Sequence, residues 1–259
     1  MAEFRRAERR RGYAKVALIG ASGSGKTWSG IEMLRGLVGE NEPIAVADTE
    51  NGSAEFYSQL TPFDICIIEP DYTIAKFQET VDSAKENGYK GLLVDGLSSF
   101  WVGKGGLLDQ KTVLEKRGRN SFTAWNDITP LYNQMVDTIL NTKMHMVFTM
   151  RAKTDYSMIT ENGQTRVVKQ GLAPIQRENL DFEFLIVFML DQQHKASVSK
   201  DRTGLFAHRG IFDVGKQTGI EIKNWLESGV EIPEEQAPKI TPEKLQKTAE
   251  IFEKGNLFE

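Results

Sequence analysis

The chain has 259 residues, 40% of them hydrophobic and 26% charged, with 32 Lys+Arg against 36 Asp+Glu and a formal net charge of −4. Those are globular proportions and exclude a chain disordered throughout. No apolar run approaches the ~20 residues that span a bilayer, and the lone cysteine, Cys66, excludes an internal disulfide and a cysteine-based zinc site.

Residues 1–15 carry Arg5, Arg6, Arg9, Arg10, Arg11 and Lys15 against Glu3 and Glu8, and residues 1–14 read as a basic arm. With no apolar h-region they do not form a secretory leader, so a cytoplasmic protein without a membrane partner is expected. Strand-length apolar runs follow at 15–19, 44–48, 65–68, 92–95, 144–150, 184–190 and 195–199. Helix-length segments at 27–38, 74–87 and 130–141 stand between them. Nearly continuous apolar strands alternating with helices predict an α/β fold with a mainly parallel central sheet flanked by helices. Four residues, DQQH, separate the last two runs, which predicts antiparallel strands at the sheet's later edge. Two stretches, 102–126 and 152–179, break the pattern and read as long functional loops. The core is expected over 15–228. An acidic linker and a short helix at 242–254 are expected within 229–259.

Residues 20–27 read GASGSGKT, with an apolar strand before them and a helix after. That spacing and context describe a phosphate-binding loop. Gly20, Gly23 and Gly25 free the backbone to wrap an anion, and with Ala21, Ser22 and Ser24 they present N–H groups to it. Lys26 supplies a point charge, and the Thr27 hydroxyl suits Mg²⁺. Trp28 closes the binding stretch; with Trp101, Trp125 and Trp225 it otherwise reads as packing. Asp95 ends the strand GLLVD and supplies the carboxylate a Mg²⁺ site needs beside the loop. Gly96 follows it, so the group that orients water must come from elsewhere. Glu50, ending IAVADTE, is the candidate; the alternative is that Asp48 and Glu50 cap the next helix.

The segment EPIAVADTENGSAEFY, between this loop and the Asp95 strand, resembles the RecA-type ATPase core. The resemblance implies a RecA-like P-loop fold, Mg²⁺ and ATP as cofactors, Glu50 as the catalytic glutamate and Tyr57 as the adenine-stacking aromatic. The strand HMVFTMRAK is similar to that family's sensor strand, which leads into a DNA-binding loop. Thr149 and Arg151 stand at the sensor point, where the family commonly has Gln. SKDRTGLF resembles the K-x-R element of RecA-like ring helicases. It implies that Lys200 and Arg202 reach a neighbouring subunit's nucleotide, with the chain in a homo-oligomeric ring or filament. Over roughly residues 14–226 the chain is similar to phage-encoded RecA-like ATPases of the AAA type, some of which anneal single strands with a single-strand DNA-binding protein.

The expected function is therefore Mg·ATP hydrolysis linked to single-stranded DNA in phage recombination, in the host cytoplasm. Lys153, Arg166, Lys169 and Arg177 in one loop, and Lys116, Arg117 and Arg119 in the other, are the candidate DNA contacts, because cations neutralise phosphates while aromatics stack bases. The alternatives are a nucleotide-dependent switch that recruits replication or recombination proteins and, less favoured, a helicase-type motor. His145, inside an apolar strand, is expected to be structural.

Overall fold

A computed structural model describes residue 4, residues 6–161 and residues 164–230, with side chains described outside 154–171. Strands β1 (Lys15–Gly20), β2 (Ile44–Asp48), β3 (Asp64–Ile67), β4 (Gly91–Asp95), β5 (His145–Glu161) and β7 (Ile186–Leu190) run parallel in the order β3-β2-β4-β5-β1-β7. Strand β8 (Ala196–Asp201) closes the edge antiparallel to β7, and β6 (Gln164–Pro174) pairs antiparallel with β5. The α/β architecture expected from the apolar runs is the one observed.

Period-two geometry sends alternate residues of β1 to opposite faces. Val16 and Leu18 join Ile31, Leu34 and Leu37 of α1 (Lys26–Val38) and Ile222 of α6 (Lys216–Glu227). Ala17 and Ile19 join Phe77 of α2 (Ile74–Glu86), Phe100 of α3 (Ser99–Val102) and Met135 of α5 (Ser121–Asn141). Both faces are covered, which is why the strands read as unbroken apolar runs. Helices α1 and α6 meet without side-chain spacing: a Cβ on Gly219 would lie 2.7 Å from the Leu37 nitrogen. At the sheet's amino edge the buried Lys15 Nζ donates to the Thr142 and Met144 carbonyls at 2.7 and 2.6 Å. His145 Nδ1 accepts the Ala14 N–H at 3.2 Å, and burial, with Lys15 and Lys223 nearby, pushes the imidazole down to about 4.

The two expected loops are instead regular structure. Residues 102–126 contain α4 (Leu107–Lys116) and the start of α5. Helix α5 begins nine residues before Pro130 because Asn120 Oδ1 accepts the Thr123 N–H at 2.8 Å and caps it there. Pro130 lies in the helix interior. Gly103–Gly106 are not a loose tether: a Cβ on Gly103 would lie 2.6 Å from the Tyr72 ring, and Gly105, at φ 73°, packs on Asp71. Residues 152–179 are mainly a β-ribbon, since β5 runs on to Glu161 and β6 returns from Gln164 to Pro174. Helix α6 had no counterpart among the expected helices.

Contacts group Gly12–Ser228 as one compact unit and the two ends as another. In the end unit Arg10 bridges Val230 in parallel, the Arg11 N–H donating to the Val230 carbonyl at 2.9 Å. The expected helix at 242–254 lies outside the described residues.

Candidate functional site

Parallel strands end together, and their registers decide what meets at the carboxyl edge. Gly20 of β1 pairs with Arg151 of β5, Leu18 with Thr149, and Asp48 of β2 with Asp95 of β4. The glycine-rich loop leaves β1 at that edge and enters α1. Gly23 and Gly25 adopt φ of 78° and 81°, a left-handed region that side chains resist. Lys26 Nζ donates to the Ala21 carbonyl at 2.7 Å, folding the lysine over the loop. Burial lowers its ammonium from the usual lysine range, while Glu50 and Asp95 oppose the shift. Ser24 is fully buried and its hydroxyl has no partner among the described residues.

Asp95 is the centre of a hydrogen-bonded chain. Its carboxylate accepts from Thr27 Oγ1 at 2.9 Å and from Thr149 Oγ1 at 2.6 Å. Burial pushes the carboxyl up to about 6, against the pull of those two hydroxyls. Asp48, also buried, spends its side chain on local structure: its two oxygens accept the Glu50 and Ala54 N–H groups. Capping therefore falls to Asp48 and leaves the Glu50 carboxylate over the site, 3.4 Å from Arg151 Nε. Gly96, at φ 95°, leaves room for the Thr49 hydroxyl, since a Cβ there would overlap Thr49 Oγ1. Thus Gly20–Thr27, Glu50, Asp95, Thr149 and Arg151 converge.

A family model for the AAA domain matches residues 13–224. The chain belongs to the AAA domain family. No curated protein matches it in sequence. A similar solved structure is a KaiC-like protein from the hyperthermophilic archaeon Pyrococcus horikoshii OT3, 14% identical, with 80% of this chain and 98% of that one covered and a TM-score of 0.43. In this AAA domain the P-loop and the mainly parallel sheet form a P-loop ATPase fold.

Around the AAA-domain core the other sequence candidates scatter. Tyr57 meets Trp28 edge to face at 6.0 Å beside the loop. Lys200 and Arg202 lie elsewhere. Lys200 pairs with Val187, three positions before the end of β7 that reaches the loop; strand rise makes that roughly 10 Å. Both cations donate to the Phe182 carbonyl, Arg202 Nη2 at 2.7 Å, so they do not complete their own nucleotide site. Burial, then the neighbouring Arg202, lowers the Lys200 ammonium.

The basic candidates lie on separate elements. Lys116, Arg117 and Arg119 sit at the α4–α5 turn, with Arg119 3.5 Å from Asp127. Lys153 is exposed on β5, and Arg166 and Lys169 lie on β6, where their side chains are outside the described residues. Arg177 lies over the Trp125 and Tyr132 rings at 5.4 and 4.7 Å, a packing contact rather than an open cation. Trp101 stacks on Trp125 at 6.0 Å.

Several site residues escaped the sequence reading. Thr49 Oγ1 spans the Asp95 and Gly96 carbonyls at 3.0 and 3.1 Å and bonds Ser99 at 2.9 Å. Ser98 Oγ accepts the Arg151 N–H at 3.0 Å. The signal was a hydroxyl within three residues after each strand-ending acid, in DTE and DGLSS, where Ser and Thr bond nearby backbone.

Proposed function

We propose that this protein hydrolyses Mg·ATP and couples the reaction to single-stranded DNA, in phage recombination by strand annealing. The observation that carries it is the Thr27–Asp95–Thr149 hydrogen-bond chain. It joins the P-loop to β5, which runs unbroken through Arg151 into the β5–β6 ribbon.

Thr27 and Asp95 fit a Mg²⁺ ion, which needs one protein hydroxyl and one carboxylate when phosphates and waters supply the rest. A bound Mg²⁺ neutralises charge on the β- and γ-phosphates. The loop N–H groups and Lys26 hold those phosphates. Glu50 orients a water whose oxygen attacks the γ-phosphorus and takes its proton; the bond to the ADP oxygen breaks. Thr149 and Arg151 sense the γ-phosphate. Trp28 and Tyr57 offer the base an aromatic face. Lys200 and Arg202 serve a neighbour's nucleotide in a ring or filament, where such a cation is worth about 10³–10⁵ in rate. The ribbon, through Lys153, Arg166 and Lys169, and the α4–α5 turn, through Lys116, Arg117 and Arg119, contact DNA; a single-strand DNA-binding protein is the expected partner.

Glu50→Gln tests the chemistry: kcat falls by about 10²–10⁴ while ATP still binds. An unchanged kcat removes Glu50 from catalysis. For the interface, Arg202→Ala loses hydrolysis and recovers it when mixed with Glu50→Gln; co-assembly without recovery contradicts action across subunits. A second reading, a slow nucleotide switch that recruits replication or recombination proteins, draws on the Glu50–Arg151 pair, since a carboxylate held by a guanidinium is not free to engage a water.

A further inference from the structure

The turn between β7 and β8, residues 191–195, has no role in the account above, yet it touches the phosphate loop. It follows from topology: β7 is parallel to β1 and adjacent to it, so its carboxyl end delivers the turn beside the loop. The turn is stiffly built. Asp191 Oδ1 accepts the Gln193 and Lys195 N–H groups, each at 2.9 Å, and the Asp191 N–H donates to the Lys195 carbonyl at 2.9 Å. His194 is held at φ 63°, left-handed and unfavourable for its side chain.

Two side chains of this turn meet the loop. Gln192 Nε2 donates to the Ser22 carbonyl at 3.1 Å. The His194 ring stands against Gly25, where an added Cβ would lie 3.0 Å from Nδ1. The Gln192 bond has a geometric consequence. A trans peptide points its C=O and N–H in opposite directions. The partner of the Ser22 carbonyl in that peptide is the Gly23 N–H, which has no hydrogen bond among the described residues. Holding the carbonyl outward on Gln192 turns the Gly23 N–H inward. Gly23, lacking a Cβ and at φ 78°, cannot hold that plane by its own sterics.

We propose that Gln192 is a positioning residue for the phosphates: it fixes the Ser22–Gly23 peptide so that the Gly23 N–H faces the ligand, and His194 braces Gly25 beside it. This rests on the reading that the loop binds a nucleoside triphosphate. Because the contact shapes the phosphate cradle and not the base pocket, it affects every polyphosphate alike.

The experiment is calorimetric titration of the full chain with Mg·ATP and with Mg·pyrophosphate, for the unsubstituted protein, Gln192→Ala and Gln192→Lys. Apo thermal unfolding is recorded for each. Gln192→Ala weakens both ligands by a similar factor, about 3–10-fold, the size of one ordinary hydrogen bond, with apo Tm within about a degree. Gln192→Lys, which restores an N–H donor, recovers affinity for both. Equal affinity in Gln192→Ala, or a loss that Gln192→Lys does not recover, overturns the positioning role. Absence of Mg·ATP binding in the unsubstituted protein instead overturns the nucleotide reading beneath it.

Discussion

Asp95 sets the pH behaviour of the site. Its carboxyl is pushed up to about 6 by burial, with Thr149 and Thr27 pulling it down and Glu50 and Asp48 adding repulsion. In the unfolded chain it titrates at the ordinary value, about 4. Between those values the folded chain keeps a proton that the unfolded chain has lost, so this group's contribution to stability falls as pH rises through about 4 to 6. Asp95→Asn therefore raises the apo Tm at about pH 8, and the advantage shrinks below about pH 6 and is gone below about pH 4, where the native side chain is neutral in the folded and the unfolded chain alike. Thermal unfolding across that range checks this; a gap that stays constant with pH contradicts it. The same substitution weakens Mg·ATP, because the amide brings no charge to the cation. At this scale the sequence was most informative where a residue's chemistry is local. GASGSGKT and the acid ending a buried strand carry their own geometry. Thr49, Ser98 and Gln192 act on backbone atoms of segments far along the chain, and spacing alone does not reveal such partners.

Elements were legible where strands buried on both faces read as apolar runs, in β1, β2, β4 and the first part of β5; edge strand β3 was legible from its apolar residues although it is largely exposed. Helix α5 was shortened because Pro130 reads as a first-turn residue, yet the Asn120 cap and the packing of Ala124 and Ile128 extend it earlier. The ribbon was missed because β5 changes environment along its length. Through Phe148 it is an interior strand paired on both sides, Thr149–Arg151 keep β1 alone, and from Ala152 its pairing is with β6 alone. A polar two-stranded ribbon carries no apolar period to read. Helix α6 is half polar and depends on α1, where Gly36 and Gly219 allow the backbones to touch. Adding a methyl at Gly219 forces the helices apart. Gly219→Ala is expected to cost about 1–3 kcal/mol, the range for overpacking. Gly12→Ala, with nothing within 4 Å of the new methyl, is the neutral comparison. Chemical denaturation of both variants checks this, and equal midpoints contradict the packing account.

Across the Gly12–Ser228 unit, the nucleotide loop lies at the carboxyl edge of the sheet, while Lys200 and Arg202 lie toward the other end of the β7–β8 pair. In the proposed assembly, a site at one end and the cations that serve a neighbour at the other would make a heterologous contact, which closes into a ring or continues as a filament. The ribbon leaves the carboxyl edge as a continuation of the strand that carries Thr149 and Arg151. In the proposed coupling, order imposed on the ribbon by a bound strand reaches the P-loop edge of the sheet through covalent backbone. No helix among the described residues is long and apolar enough to cross a membrane. The charge pattern fits a polyanion partner only locally. The chain is net acidic, but residues 143–177 hold six basic residues against two acidic ones. In the proposed DNA complex the salt dependence scales with the number of these cations that meet phosphates, since each such contact releases counterions.

The most direct measurement is steady-state ATP hydrolysis with and without single-stranded DNA, for the full chain and for a variant whose residues 153–172 are replaced by a short Gly-Ser turn. The account predicts that DNA stimulates the full chain, that added salt suppresses the stimulation, and that the ribbon-less variant keeps its basal rate but does not respond. Hydrolysis indifferent to DNA in the full chain, or an equal response without the ribbon, contradicts the coupling on which the account rests.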